Sequence, residues 1–216
     1  LGLRGARNLG HQCTEKSNEI CNVSEQDLIA ASQRGEAWAF NQLVAVYQSQ
    51  VYNLAYRTLG GPEAAADATQ DTFLSAFRHM GQFRGGSFRA WLLRIAANAC
   101  YDELRRRQRS PRATSLDDTP DGGSLAEPLD PDPTPEELAL RRDLQQHIQQ
   151  GLATLPYEQR VVVVLSDVQG LSYEEIADAT RASLGTVKSR LSRGRAHLRD
   201  FLLRSGELSS ARFRLI

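Results

Sequence analysis

Between Arg181 and Arg204 the chain carries seven basic residues against a single acid, Asp200. Within this run Lys188, Ser189, Arg190, Ser192 and Arg193 follow one another so closely that a helix through them presents hydroxyls and cations together. Short hydroxyls let a backbone come close to a surface, and long cations reach phosphates or base edges. A second set occupies "FRGGSFRAWLLRIAANACYDELRRRQR", residues 83–109, where aromatics, glycines, Asn98 and arginines surround one loop and helix. Single-stranded nucleic acid is held by such parts: planar side chains stack on bases, cations track the backbone and an amide reads a base edge. Catalytic chemistry finds no comparable set. There is no Gly-rich phosphate loop, and His11, His79, His147 and His197 are scattered. His11, Cys13 and Cys21 lack an evident fourth ligand, so neither a metal nor another cofactor is expected.

The elements that must position these groups read as helices throughout. Residues 24–59 give two helices, with Leu28, Ile29, Phe40, Leu43, Val44, Tyr47, Val51, Leu54 and Ala55 at buried-face spacing, ended by Gly60, Gly61 and Pro62. A third covers about 63–80, its expected apolar stripe being Thr69, Phe73, Ala76, Phe77 and Met80, with Asp67, Gln70, Asp71 and Arg78 on the other side. Ser87 is a plausible N-cap for a fourth helix to about Arg107. Phe88, Trp91, Leu92, Ile95 and Ala99 are assigned to its core face, and Arg94, Asn98, Tyr101 and Arg105 to the opposite one. Four more segments follow at about 135–154, 157–168, 172–180 and 183–203. The β-branched run "RVVVVL" at 160–165 sits between helical patterns and is read as buried helix. Ser172 with Glu175 three residues on is a capping box, and Ser183 caps the last helix. A short turn between a supporting helix and a second helix with one apolar and one small, basic face is the helix-turn-helix design, whose second helix fits the major groove of DNA. On these residues alone a solvated basic face in an ordinary bundle stays open as the other reading.

Bulk properties fit this plan. The 216 residues suffice for two small domains, and Lys plus Arg balance Asp plus Glu at 26 each, so charge distribution rather than net charge points to a partner. Five arginines and no acid lie between Arg105 and Arg112, whereas eight acids and no base lie between Ala113 and Leu140. Residues 108–134 hold five of the eight prolines and no hydrophobic period, the composition of a flexible acidic linker. The expected organisation is all-α: a disordered tail at 1–23, a helical domain at 24–107, the linker at 108–134, a second helical domain at 135–204 and a tail at 205–216. No apolar run of about 18 residues and no secretory leader is seen, which places the expected site of action in the cytoplasm. Three irregularly spaced cysteines describe no disulfide framework.

Taken whole, residues 24–204 resemble the extracytoplasmic-function (group 4) sigma factors of bacterial RNA polymerase, in the sigma-70 family. "AADATQDTFLSAFR" at 65–78 is similar to the family's polymerase-binding segment. "FRGGSFRAWLLRIAANACYDELRRR" resembles its minus-10 segment, and "LPYEQRVVVVLSDVQGLSYEEIADATRASLGTVKSRLSRGRAHLR" its minus-35 domain. The resemblance implies that Asp67, Gln70 and Asp71 dock on the clamp of the polymerase's largest subunit, with a further contact to the flap of the second subunit. It implies that Phe83 and Asn98 handle an unstacked promoter base, in a minus-10 set with Arg84, Tyr101, Arg105 and Arg106. Thr186, Lys188, Ser189, Arg190, Ser192 and Arg193 match the minus-35 recognition helix, with Ser192 standing where relatives often carry a bulkier residue. An anti-sigma protein is the further partner implied. Extended at 3.3–3.6 Å per residue, residues 108–134 reach roughly 90 Å, enough for two DNA sites two helical turns, about 70 Å, apart. The alternative function is a regulator that occupies an operator without polymerase, but no dimer interface or effector pocket is evident for it.

Overall fold

The computed structural model describes residues 23–109 and 134–204. The expected linker, apart from its ends, and nearly all of both tails lie outside the described residues, with His11, Cys13, Cys21 and the linker acids. The described residues form helices and connecting turns, with no strand among them. In chain order the helices are α1 (Glu25–Gln33), α2 (Ala37–Leu59), α3 (Pro62–His79), α4 (Phe88–Arg109), α5 (Pro135–Thr154), α6 (Tyr157–Val163), α7 (Tyr173–Thr180) and α8 (Leu184–Arg204). A 3-10 turn, Met80–Gln82, follows α3, and a π-helical turn, Val164–Val168, extends α6. The chain divides into two compact units, residues 1–43 and 44–216.

In the first unit, Ser24 starts α1 by accepting the Asp27 amide on Oγ at 3.2 Å, and Leu28 and Ala31 are buried. In the second unit α2 ends where Gly60, at φ +82°, takes a left-handed conformation that suits glycine and donates its N–H to the Tyr56 carbonyl. Pro62 then supplies the first residue of α3, where its missing N–H costs nothing.

The face that α3 buries differs from the expected one. Ala64, Ala65, Ala68, Thr72 and Ala76 are buried, while Phe77 is 45% exposed and the neighbouring Leu74 47%. Thr69 and Phe73 are only half-buried. The stripe chosen for its large apolar residues lies one residue round from the true core face. Small side chains win because α3 packs against α4, and alanines allow two backbones to approach closely where phenylalanines would hold them apart. Ala55, Leu59, Ala64, Ala65, Ala68 and Cys100 form the resulting cluster. The Thr72 hydroxyl is satisfied by donating to the Ala68 carbonyl at 2.6 Å.

Helix α4 shows the same kind of rotation. Phe88, Leu92, Leu93, Ala96, Ala97 and Cys100 are buried, whereas Ile95 and Ala99, expected inside, are half-buried. Ser87 caps it as expected, accepting the Ala90 amide at 3.1 Å. In the C-terminal block Val161, Val162, Val163, Val164 and Leu165 are all buried, so the β-branched run is helix because tertiary burial outweighs its strand propensity. Helix α8 packs against α5, α6 and α7. A Cβ at Gly194 would lie 2.7 Å from Val163 Cγ2, and one at Gly151 2.6 Å from Leu198 Cδ1, so both glycines are contact points between helices.

Candidate nucleic-acid and polymerase interface

The helix-turn-helix is built by local bonds. Ser172 Oγ accepts the Glu175 amide at 3.2 Å, and the Glu175 carboxylate accepts the Ser172 amide at 2.9 Å, which fixes the start of α7. Helix α7 stops at Arg181, whose φ of +51° is left-handed, and both it and Ala182 donate their N–H groups to the Ala177 carbonyl. Ser183 then accepts the Thr186 amide at 3.2 Å, and its hydroxyl also pairs with that of Thr186 at 2.9 Å. Three residues therefore turn the chain from α7 into α8.

Buried Val187 and Leu191 anchor α8, with Gly194 against α6. That leaves Lys188, Ser189, Ser192 and Arg193 exposed on its outer side, with Thr186 and Arg190 half-buried at the margins. Arg193 lies back along its own helix, donating Nε to the Ser189 carbonyl and Nη2 to the Ser189 hydroxyl, each at 3.2 Å. Leu184, expected on the apolar side, is 41% exposed at the first position of the helix. The basic run is not uniform: Arg195 donates Nε to Asp167 Oδ2 at 3.0 Å and Nη2 to Asp167 Oδ1. That two-point pair ties α8 to the π-helical turn, and the Asp167 bond is the main cause that raises the Arg195 pKa further above its usual range. Arg195 is a strut rather than a free cation of the outer face.

On α4 and the loop before it, Arg84, Asn98, Tyr101, Arg105 and Arg106 are exposed. The Arg105 guanidinium lies over the Tyr101 ring, 5.7 Å from its centroid. Arg106 and Arg107 share the Glu103 carboxylate, donating at 2.8 and 2.9 Å. Phe83 departs from expectation. It is 8% exposed and sits edge-on to Phe88 at 5.6 Å and tilted to Trp91 at 5.5 Å, with its faces committed to this aromatic cluster. Its ring is a prop beneath the loop rather than a stacking surface, because a ring closing the top of a helical core gains more from burial than from water. Gly85 and Gly86, at φ +99° and +88°, give the loop a left-handed path and leave Arg84 outside.

Asp67, Gln70 and Asp71 are exposed on α3, but not opposite the phenylalanines. With the alanine face inward, they share the outer surface with half-exposed Leu74 and Phe77, a mixed polar and apolar face of the kind that docks proteins. Cys100 is fully buried, and burial pushes its thiol up to about 12, which removes it from thiolate chemistry at neutral pH. No group of three or more metal-binding side chains occurs among the described residues, and no helix among them is long and apolar enough to cross a membrane.

Sequence comparison matches residues 43–110 to sigma-70 region 2 and residues 145–198 to sigma-70 region 4. The chain is 41% identical over 188 residues to the ECF RNA polymerase sigma factor SigE of Mycolicibacterium smegmatis, covering 87% of this chain and 70% of that protein. It is 35% identical over 180 residues to the RNA polymerase sigma-H factor of Pseudomonas aeruginosa, covering 82% and 92%. Among solved structures, CnrH in complex with the cytosolic domain of CnrY aligns with a TM-score of 0.59 at 29% identity, over 82% of this chain and 96% of that one. The sigma factor RpoE of Bartonella quintana, in complex with the anti-sigma factor NepR, aligns with a TM-score of 0.58 at 28% identity, over 76% and 96%. With both regions matched in order and helices in the corresponding places, the chain belongs to the extracytoplasmic-function sigma factors of the sigma-70 family.

Proposed function

We propose that this chain is a non-catalytic specificity subunit that works in the cytoplasm with core RNA polymerase, directing it to promoters with matched minus-35 and minus-10 elements and promoting strand opening. Residues 24–107 and 135–204 act as the two promoter-gripping domains, with 108–134 as the tether between them. The observation that carries this reading is the short-turn pair α7 and α8, whose outer side offers Lys188, Ser189, Ser192 and Arg193 within the sigma-70 region 4 match. Thr186 and Arg190 flank these residues at the minus-35 element. A bidentate side-chain contact to a base edge there contributes about 1–3 kcal/mol of discrimination, and the phosphate contacts set position.

At the minus-10 element Asn98, Tyr101, Arg84, Arg105 and Arg106 supply amide, ring and cations for an unstacked strand. Extruding a base costs a few kcal/mol, which a prepared surface on α4 offsets. Phe83 supports that surface from inside. On α3 Asp67, Gln70 and Asp71, with Leu74 and Phe77, form the face offered to the clamp of the largest polymerase subunit, and the C-terminal domain meets the flap of the second. An anti-sigma protein is a natural further partner, since CnrH and the Bartonella RpoE were both solved bound to one partner each.

Run-off transcription with core polymerase on a genomic fragment library tests the proposal. New start points sharing two sequence elements are expected only when this chain is added. Core enzyme that neither retains the chain nor starts RNA synthesis at new positions would refute it.

A further inference from the structure

The helices before and after residues 110–133 meet along a seam made of reciprocal helix caps. Helix α2 ends in carbonyls with no intrahelical partner. Gln149 on α5 donates Nε2 to two of them, those of Tyr56 and Arg57, at 3.1 and 3.3 Å, and Arg160 on α6 donates Nη1 to a third, that of Thr58, at 2.5 Å. The cation also opposes the negative end of the helix dipole. In the other direction Arg89 on α4 donates Nη2 to the Gln169 carbonyl, at the end of the π-helical turn, and Nε to Gln50 Oε1 at 2.8 Å. Gln169, itself buried, donates its amide to the Gln50 carbonyl at 3.2 Å. The Glu175 carboxyl of α7 is held below its ordinary range chiefly by the Ser172 backbone N–H, and the Ser87 hydroxyl and Arg89 charge across the seam add to this.

Tyr157 is the seam's apolar plug. It packs on the cluster around Ala55, Leu59 and Cys100, donates its hydroxyl to the Ala97 carbonyl, and lays its ring 5.1 Å from that of Tyr101. Tyr101 is one of the residues assigned above to the minus-10 strand. Helix α7 also packs directly on α4. Two blocks in such contact cannot together reach DNA sites about 70 Å apart.

Closure is also imperfect. Asn53 Oδ1, Arg57 Nε, Gln149 Oε1, Gln159 Oε1 and Arg160 Nε, all on the elements that form the seam, are buried without a hydrogen-bond partner. An unmet buried polar atom favours the state in which water can reach it. Interfaces between domains of one chain, when polar, are of the kind that open.

We propose that the seam is an autoinhibitory latch, in which Tyr157 occupies the Tyr101 surface of α4 in the free protein and the caps by Arg89, Gln149, Arg160 and Gln169 must break before both promoter elements are engaged. This rests on the sigma-factor reading above and adds a switch to it. The outer side of α8 stays exposed in the closed form, so the latch masks the minus-10 surface and leaves Lys188, Ser189, Ser192 and Arg193 uncovered.

The test uses the full chain with Cys13 and Cys21 replaced by serine and dyes on Gln82→Cys and His197→Cys, both exposed positions away from the seam contacts. High energy transfer is expected in the free protein and low transfer once core polymerase and promoter DNA are added. The charge-neutral double variant Tyr157→Phe, Gln169→Ala should lower transfer without polymerase. It should also bind a fluorescein-labelled, mixed-sequence single-stranded 12-mer about tenfold more tightly, a change of 1.4 kcal/mol. Low transfer in the free parent protein, or equal transfer and equal DNA affinity in a variant whose circular dichroism shows it folded, overturns the latch. Run-off transcription on the same samples separates the two ideas: absence of transcripts counts against the sigma-factor reading, whereas the dye distance in the free chain decides the latch by itself.

Discussion

Gly194→Ala should destabilise the protein even though it places a better helix former in the middle of a helix. An added Cβ at this position meets Val163 Cγ2 at 2.7 Å, the Gln159 carbonyl oxygen at 3.4 Å and Gln159 Cβ at 3.5 Å. The first contact is about 1 Å inside the ordinary carbon–carbon separation of 3.5–4.0 Å. Val163 cannot swing clear, since it is β-branched and buried on α6 among Val162 and Val164. Relief therefore needs α8 to move off α6, and overpacking of this kind costs about 1–3 kcal/mol. Replacing glycine by alanine within a helix returns close to 1 kcal/mol. The net expectation is a loss of about 1–2 kcal/mol, read as a fall in Tm of roughly 2–8 °C for a protein of this size.

Gly185→Ala is the internal control, because the nearest atom to its added Cβ is Ser183 Oγ at 3.9 Å. It should hold or raise the Tm in the same scanning calorimetry. Adding Val163→Ala to Gly194→Ala should recover part of the loss, a coupling that independent sites would not show. Equal and stabilising effects at both glycines, or no recovery in the double variant, would refute close packing of α8 on α6 as the reason for Gly194.

Phe83→Ala should cost about 3–5 kcal/mol in urea unfolding, since it removes a buried ring from an aromatic cluster, whereas Tyr101→Ala should cost clearly less, its ring being 40% exposed. Arg181→Gly should stabilise by about 1 kcal/mol, because the native left-handed backbone strains any residue with a Cβ; an unchanged or lower unfolding midpoint would contradict that backbone assignment. Asp167→Asn, which weakens the pair with Arg195, should lower stability by no more than about 1 kcal/mol, as both partners are partly solvated, and a larger loss would mean that the strut does more than the geometry indicates. Cys100 should react with iodoacetamide at pH 8 about a thousandfold more slowly than a thiol of ordinary pKa, because a rise from 9.0 to about 12 removes three decades of thiolate. Peptide mapping that finds Cys100 alkylated at an ordinary rate in the folded protein would show that the site opens.

Local signals in the sequence determined the helices and their ends: the Ser24, Ser87, Ser172 and Ser183 caps, the glycine and proline after α2, and the short turn before α8 all act over a few residues. The helix-turn-helix and its cations were legible for the same reason, because period and capping fix which residues of α8 face inward. Only tertiary packing decided which of two adjacent stripes α3 buries, since alanines and phenylalanines are both apolar and the choice depends on how closely α4 approaches. Packing also took Phe83 out of the set of stacking rings, made Arg195 a strut, and paired Arg89 with Gln169 and Tyr157 with Ala97 across 80 and 60 residues of chain. No periodicity records such pairs. They arise because helix ends far apart in sequence each leave carbonyls that some distant donor must satisfy, and the fold alone selects the donor.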